Sequence, residues 1–177
     1  FSLCRKLAGR LQLPDNLEAI NRYAFSECGA LTEIIIPDNT FEIGAYTFQD
    51  CDHVKFIHMG KSMTYIPKGC FYKCRALKTL QIPGNIKTVG EESFSDCTSL
   101  QKVIIENGVE KIEDRVFAYC KNLQKVSLPD SIVDLEKTPF LGSPNVVVYV
   151  SEGSLADHLL QFHSLNNRAY VAICYSN

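Results

Sequence analysis

The sequence predicts an α/β-type repeat solenoid: short coils, each one strand plus a return segment, stacked so that their strands form a parallel sheet. Three observations predict it. Phenylalanine recurs at Phe25, Phe48, Phe71, Phe94, Phe117 and Phe140, each 23 residues after the last, with Phe1 placed 24 before the first. Cysteine follows three residues later at Cys4, Cys28, Cys51, Cys74, Cys97 and Cys120, and Ser143 ends the series. Three further on stand Leu7, Leu31, Val54, Leu77, Leu100, Leu123 and Val146. A fixed period of about 20 to 50 residues marks folds whose single unit cannot bury its own apolar slots, so that neighbours must bury them together.

The elements of the unit follow in chain order. After the aliphatic slot comes an alternating segment: Ile34 and Ile36, Ile57 and Met59, Leu80 and Ile82, Val103 and Ile105, Val126 and Leu128. Apolar residues two apart predict a strand with one buried face. Leu11 and Leu13 belong to the same set, displaced by one residue, which accounts for the longer first interval. Pro14, Pro37, Pro83 and Pro129 stop these strands because proline has no N–H to give a ladder. The rest of the unit holds a second apolar slot, Ile20, Ile43, Ile66, Val89, Ile112 and Leu135. A weaker slot precedes it, at Leu17, Met63, Ile86, Val109 and Ile132, with Thr40 in one unit. No 3.6-residue period runs through this half, so it is expected to be extended or briefly 3₁₀.

Composition excludes several classes. With 177 residues, 46% of them hydrophobic and 21% charged, the chain is that of an ordered protein. A net charge of -2 gives no electrostatic reason to expect nucleic acid as a partner. The longest apolar runs, "EIIIP" and "NVVVYV", fall far short of the roughly 20 residues that span a bilayer, so no membrane insertion is expected. The chain opens inside a repeat, with no basic and apolar leader, and is expected to be part of a longer protein.

The recurring L-x-x-I-x-I-P, a V/I slot, I-G or I-x, then A-F-x-x-C, as in "LTEIIIPDNTFEIGAYTFQDC", resembles the 23-residue leucine-rich repeat of the BspA-like group. The resemblance covers residues 1–145, about six units. It implies a right-handed solenoid with a parallel sheet on the concave side and a mostly irregular or 3₁₀ convex side. It further implies a secreted or surface-attached, commonly bacterial protein acting in adhesion and binding. Residues 146–177 depart from the period, and "YVSEGSLADHL" resembles the closing unit of such solenoids. Ser154 reads as a helix N-cap, with Leu155, Leu159, Leu160 and Phe162 as the apolar face. That helix and a strand over Tyr170 to Cys174 are expected to form the C-terminal cap.

The candidate chemistry is thin. The ladder cysteines sit where a small apolar side chain fits, and are expected to be reduced, buried thiols; a disulfide between stacked neighbours is the alternative. Cys70 and Cys74 in "CFYKC" have half a zinc spacing, yet Cys70 occupies the small slot held elsewhere by Ala24, Thr47 and Ser93. His53, His58, His158 and His163 fall in no metal or catalytic pattern. No catalytic residue, metal ligand or cofactor is therefore assigned, and the chain is not expected to be an enzyme.

What remains is the sheet's outer face. Between the buried strand positions lie Glu33 and Ile35, Phe56 and His58, Thr79 and Gln81, Lys102 and Ile104, Lys125 and Ser127. These vary where the core positions repeat, and Phe56 with Ile35 and Ile104 reads as an apolar patch for a protein or glycan ligand. The alternative is a structural spacer within a longer surface protein.

Overall fold

The computed structural model describes residues 1–167 and 172–175, with side chains in the helix described as far as His163. Each coil supplies a longer and a shorter strand. These are β1 (Gly9–Gln12) and β2 (Ala19–Ile20), β3 (Leu31–Ile35) and β4 (Glu42–Ile43), and β5 (Phe56–His58) and β6 (Tyr65–Ile66). They continue with β7 (Thr79–Ile82) and β8 (Thr88–Val89), β9 (Lys102–Ile105) and β10 (Lys111–Ile112), and β11 (Lys125–Ser127) and β12 (Asp134–Leu135). The chain closes with β13 (Val147–Val150), helix α1 (Leu155–Asn167) and β14 (Ala172–Tyr175). All pairing is parallel. The long strands run β1-β3-β5 and β7-β9-β11-β13-β14, the short ones β2-β4 and β6-β8-β10-β12.

The return segment thus carries a second ladder that alternation could not reveal, because strands of two residues are too short to show a period. A third ladder lies in the turns around the phenylalanines. The N–H groups of Tyr23, Phe25 and Glu27 donate to the carbonyls of Ala45, Thr47 and Gln49 in the next coil. Tyr46, Phe48 and Asp50 donate likewise to Lys68, Cys70 and Tyr72. To aim these donors the backbone enters the left-handed region at non-glycine residues: Tyr23, Tyr46, Glu92 and Arg115 in one column, Glu27, Asp50, Lys73, Asp96 and Tyr119 in another. Each such residue costs about 1 to 2 kcal/mol, which the repeated inter-coil bonds offset. Gly69 takes this conformation for a second reason as well. The Tyr46 ring lies over it, and a Cβ there would come 2.1 Å from a ring carbon.

The core is the phenylalanine column. Successive rings from Phe1 to Phe140 stack with centroids 5.2 to 5.9 Å apart and planes within 16° of parallel. Phe48, Phe71, Phe94 and Phe117 are fully buried. The aliphatic slots close around them, as the period predicts. Leu7, Leu13 and Leu17 in the first coil and Ile43 are half-buried, and in the interior Ile57 and Met59 are only half-buried too, although their counterparts Ile34, Ile36, Leu80 and Ile82 are buried.

That coil, residues 54–76, is half-zipped on both sides. β5 is bonded to β3 but not to β7, and β6 to β8 but not to β4. The second gap has a visible cause. Gly44, Gly90, Glu113 and Glu136 each donate an N–H to the short strand of the preceding coil, at 2.7 to 3.0 Å. Pro67 stands in that position and has no N–H to offer Ile43.

At the C-terminal end, Ser154 caps α1 as expected: its Oγ accepts the Asp157 N–H at 3.2 Å, while the Asp157 carboxylate reaches back to the Gly153 N–H. The buried face differs from the expected one. Leu155 and Phe162 are 47% and 60% exposed, whereas Ala156, Asp157 and Leu160 are buried. The helix packs on β12 with Ala156 and Leu160 buried, and an exposed Leu or Phe elsewhere on it carries little cost. His163 completes the short ladder: its Nε2–H donates to the Leu135 carbonyl at 2.8 Å, where another coil would place a backbone N–H. Within the expected final strand, Tyr170 and Val171 lie outside the described residues. β14 pairs in parallel with β13 and extends the long ladder by one strand.

Candidate functional site

The outer face of the long ladders is built by the same alternation that fills the core: each buried strand residue turns its neighbours away from it. Register places the ten candidate residues in two columns. One holds Glu33 and Phe56, then Thr79, Lys102 and Lys125; the other holds Ile35 and His58, then Gln81, Ile104 and Ser127. The gap between β5 and β7 interrupts both. Phe56, His58, Thr79, Gln81, Lys102 and Ile104 are exposed, and Glu33, Ile35, Lys125 and Ser127 are half-buried.

Pairing explains two of the four half-buried residues, Glu33 and Lys125. Glu33 sits 3.2 Å from His58 Nε2 and 3.8 Å from the Arg10 guanidinium. The Lys125 ammonium lies 4.0 Å from the centroid of the Tyr149 ring, a cation–π contact. The expected apolar patch does not form as one surface. Ile35 stands opposite His58 rather than Phe56, and β7 with Thr79 and Gln81 separates Phe56 from Ile104. Phe56 instead stands among polar side chains, 59% exposed. Arg10 and Tyr149 extend the face beyond the predicted residues. Tyr149 was legible in "VVVYV", where it alternates with the buried Val148 and Val150.

The opposite side of the coils is different in kind. There Lys61 with Asp38, Lys68 with Glu91, Lys87 with Glu110 and Lys111 with Asp134 pair across successive coils, each 23 residues apart. Such exposed pairs are weak, because water and salt screen them. Lys102 on the outer face has no such partner among the described residues.

The thiols take no part in either face. Cys28, Cys51, Cys70, Cys74, Cys97 and Cys120 are buried and free. Each ladder thiol has a job the composition did not reveal. The Sγ–H of Cys51, Cys74, Cys97 and Cys120 points at the carbonyl of Phe25, Phe48, Phe71 and Phe94 in the preceding coil, at 3.3 to 3.6 Å. Ser143 makes the same bond to the Phe117 carbonyl at 2.8 Å, so the slot selects a small donor. Burial pushes the Cys51 and Cys120 thiols up to about 12, and those of Cys70, Cys74 and Cys97 well above their ordinary value. Among the described residues, no three metal-ligating side chains cluster, and no helix is long and apolar enough to cross a membrane.

Comparison with known families fits this geometry. The BspA type leucine-rich repeat region is matched in 6 copies over residues 18–147. The chain belongs to the BspA-type leucine-rich repeat family. Among solved structures, a leucine-rich repeat protein from Bacteroides ovatus is 30% identical with a TM-score of 0.70, over 80% of this chain and 39% of its own. The pneumococcal vaccine antigen PcpA is 19% identical with a TM-score of 0.75, over 95% of this chain and 41% of its own. A leucine-rich cell surface protein from Faecalibacterium prausnitzii is 22% identical with a TM-score of 0.59, over 84% of this chain and 33% of its own. This BspA-type chain therefore spans less than half the length of each of these three. Comparison with curated protein sequences gives no match.

Proposed function

We propose that this chain is a non-enzymatic binding module, displayed outside the cell in an adhesive role, that takes a protein or glycan on the outer, concave face of its long ladders. In this reading residues 1–145 carry most of the face, which Tyr149 extends, and residues 146–177 close the coil stack. The contrast between the two surfaces carries it. Four lysine–carboxylate pairs link successive coils on the short-ladder side, while Phe56, Thr79, Lys102 and Ile104 are turned to water over a repeating backbone. Exposed side chains that differ from strand to strand on a rigid scaffold are the raw material of recognition. The descriptions of two structural neighbours, a cell surface protein and a vaccine antigen, support display outside the cell.

The test is a binding screen of the intact chain against extracellular proteins and glycans, repeated with Lys102→Glu and Ile104→Asp. Weakening by about 10-fold or more in both, with folding retained, is expected. A charge swap on the other side, Lys87→Glu with Glu110→Lys, should leave binding unchanged. Full-strength binding by both outer-face variants would refute the assignment, and loss of function only on shortening the chain would identify a spacer.

A further inference from the structure

The half-zipped coil leaves a cleft on the outer face. Between β5 and β7 the strands part, and a shallow opening of about 340 Å³ lies there, lined among others by Phe56, His58, Met59, Thr79, Gln81 and Pro83. That volume is at the small end of ligand sites. We propose that this cleft is a saccharide subsite, taking an uncharged sugar ring with its C–H face on Phe56 and its hydroxyls on His58, Thr79 and Gln81. The proposal rests on the binding-face reading and names its ligand class.

Three observations select that chemistry. The Phe56 ring is an apolar platform 59% open to water, and its neighbours in register are polar: Glu33 on one side, with Thr79 across the gap. A ligand that covers it must be apolar on one face and polar at its rim. Thr79 offers a donor and an acceptor through its hydroxyl, Gln81 keeps Oε1 and its second amide hydrogen, and His58, whose Nε2 faces Glu33, offers Nδ1, so the lining can meet a set of hydroxyls. The carboxylates nearby are already engaged. Glu33 is held by Arg10 and His58, and Glu106 accepts from the Gln81 amide and, at 3.1 Å, from the Gly84 N–H. Lys102 stands a strand further on, opposite Thr79, and lines no part of the cleft. No Asp, Glu, Lys or Arg lines the cleft, so neither an anionic nor a cationic ligand finds one of these counter-charges in its lining.

Geometry also removes the main competitor, an extended peptide inserted as a new strand between β5 and β7. Insertion needs a further ~4.8 Å between coils. The Phe71 and Phe94 rings of those two coils are stacked at 5.2 Å, and the N–H groups of Gly69, Phe71 and Lys73 are bonded across to Glu91, Ser93 and Ser95. The coils stay one spacing apart, and only the surface groove is open.

The experiment is an array of neutral and acidic oligosaccharides probed with the intact chain, followed by titration of the strongest hit with Phe56→Ala, Phe56→Tyr and Gln81→Ala. Phe56 is exposed, so these variants should keep the wild-type melting curve. Neutral glycans should be retained. Phe56→Ala should weaken them by about 10-fold, Phe56→Tyr should keep most of the affinity, and Gln81→Ala should fall between. Retention of acidic glycans alone, equal binding by Phe56→Ala, or no glycan retained would each overturn the subsite. If a protein ligand sensitive to Lys102→Glu were found while no glycan bound, the saccharide subsite would fall and the binding-face reading would stand.

Discussion

At the scale of single residues, the ladder cysteines act as small hydrogen-bond donors inside the core. Their thiols reach the phenylalanine carbonyls one coil back, and the serine at position 143 does the same with a shorter bond. The pH consequence has a definite sign. A folded-state pKa raised by burial means that the unfolded thiol ionises first, so the thiols' contribution to stability is constant below about pH 9 and is lost as pH rises toward 12. Tyr65, raised chiefly by burial, acts in the same direction. The expected outcome is a urea midpoint that drops steadily above about pH 9. At about pH 8, thiol reagent should label the half-buried Cys4 and Cys174 and spare the six buried thiols until unfolding. Immediate labelling of all eight cysteines at that pH would mean the column is open to water. The burial of these thiols was legible from the period. Their hydrogen bonds were not, since no one-dimensional pattern says which carbonyl an Sγ–H will meet.

At the scale of elements, residues 54–76 are the least secured interior coil. One of the two strand ladders is missing on each side, Ile57 and Met59 are half-buried, and Pro67 removes a donor outright. Local opening follows such deficits in contacts and bonds. Amide exchange of the intact chain should therefore be fastest, among interior coils, at Ile57, Met59 and Gln81, and slowest around Val103 and Val126, whose strands are bonded on both sides. Uniform protection along the stack would contradict this. Pro67 was visible in the sequence, but its meaning was hidden because the second ladder was not visible with it. The helix shows the same limit: its N-cap at Ser154 is local and predictable, but which stripe it buries is decided by where β12 and the Leu135 carbonyl stand.

For the whole molecule, the stacked rings make neighbouring coils depend on one another. Phe71 is fully buried between Phe48 and Phe94, so its loss leaves a cavity shared by three coils. Phe71→Ala should cost about 3 to 5 kcal/mol, and circular dichroism and near-ultraviolet signals should report one coincident loss of structure. A separate early transition confined to one coil, with the remaining stack unaffected, would show that the units fold independently. The sequence by itself determined the period, the coil, the buried slots and the residues that face outward, because each depends on chain-local alternation repeated at one interval. Only the tertiary structure decided which coils are fully laddered, that β7 divides Phe56 from Ile104, and that His163 finishes the short ladder. Those features depend on the position of one coil against another, and hydrogen bonds between groups 20 or more residues apart leave no trace in local pattern.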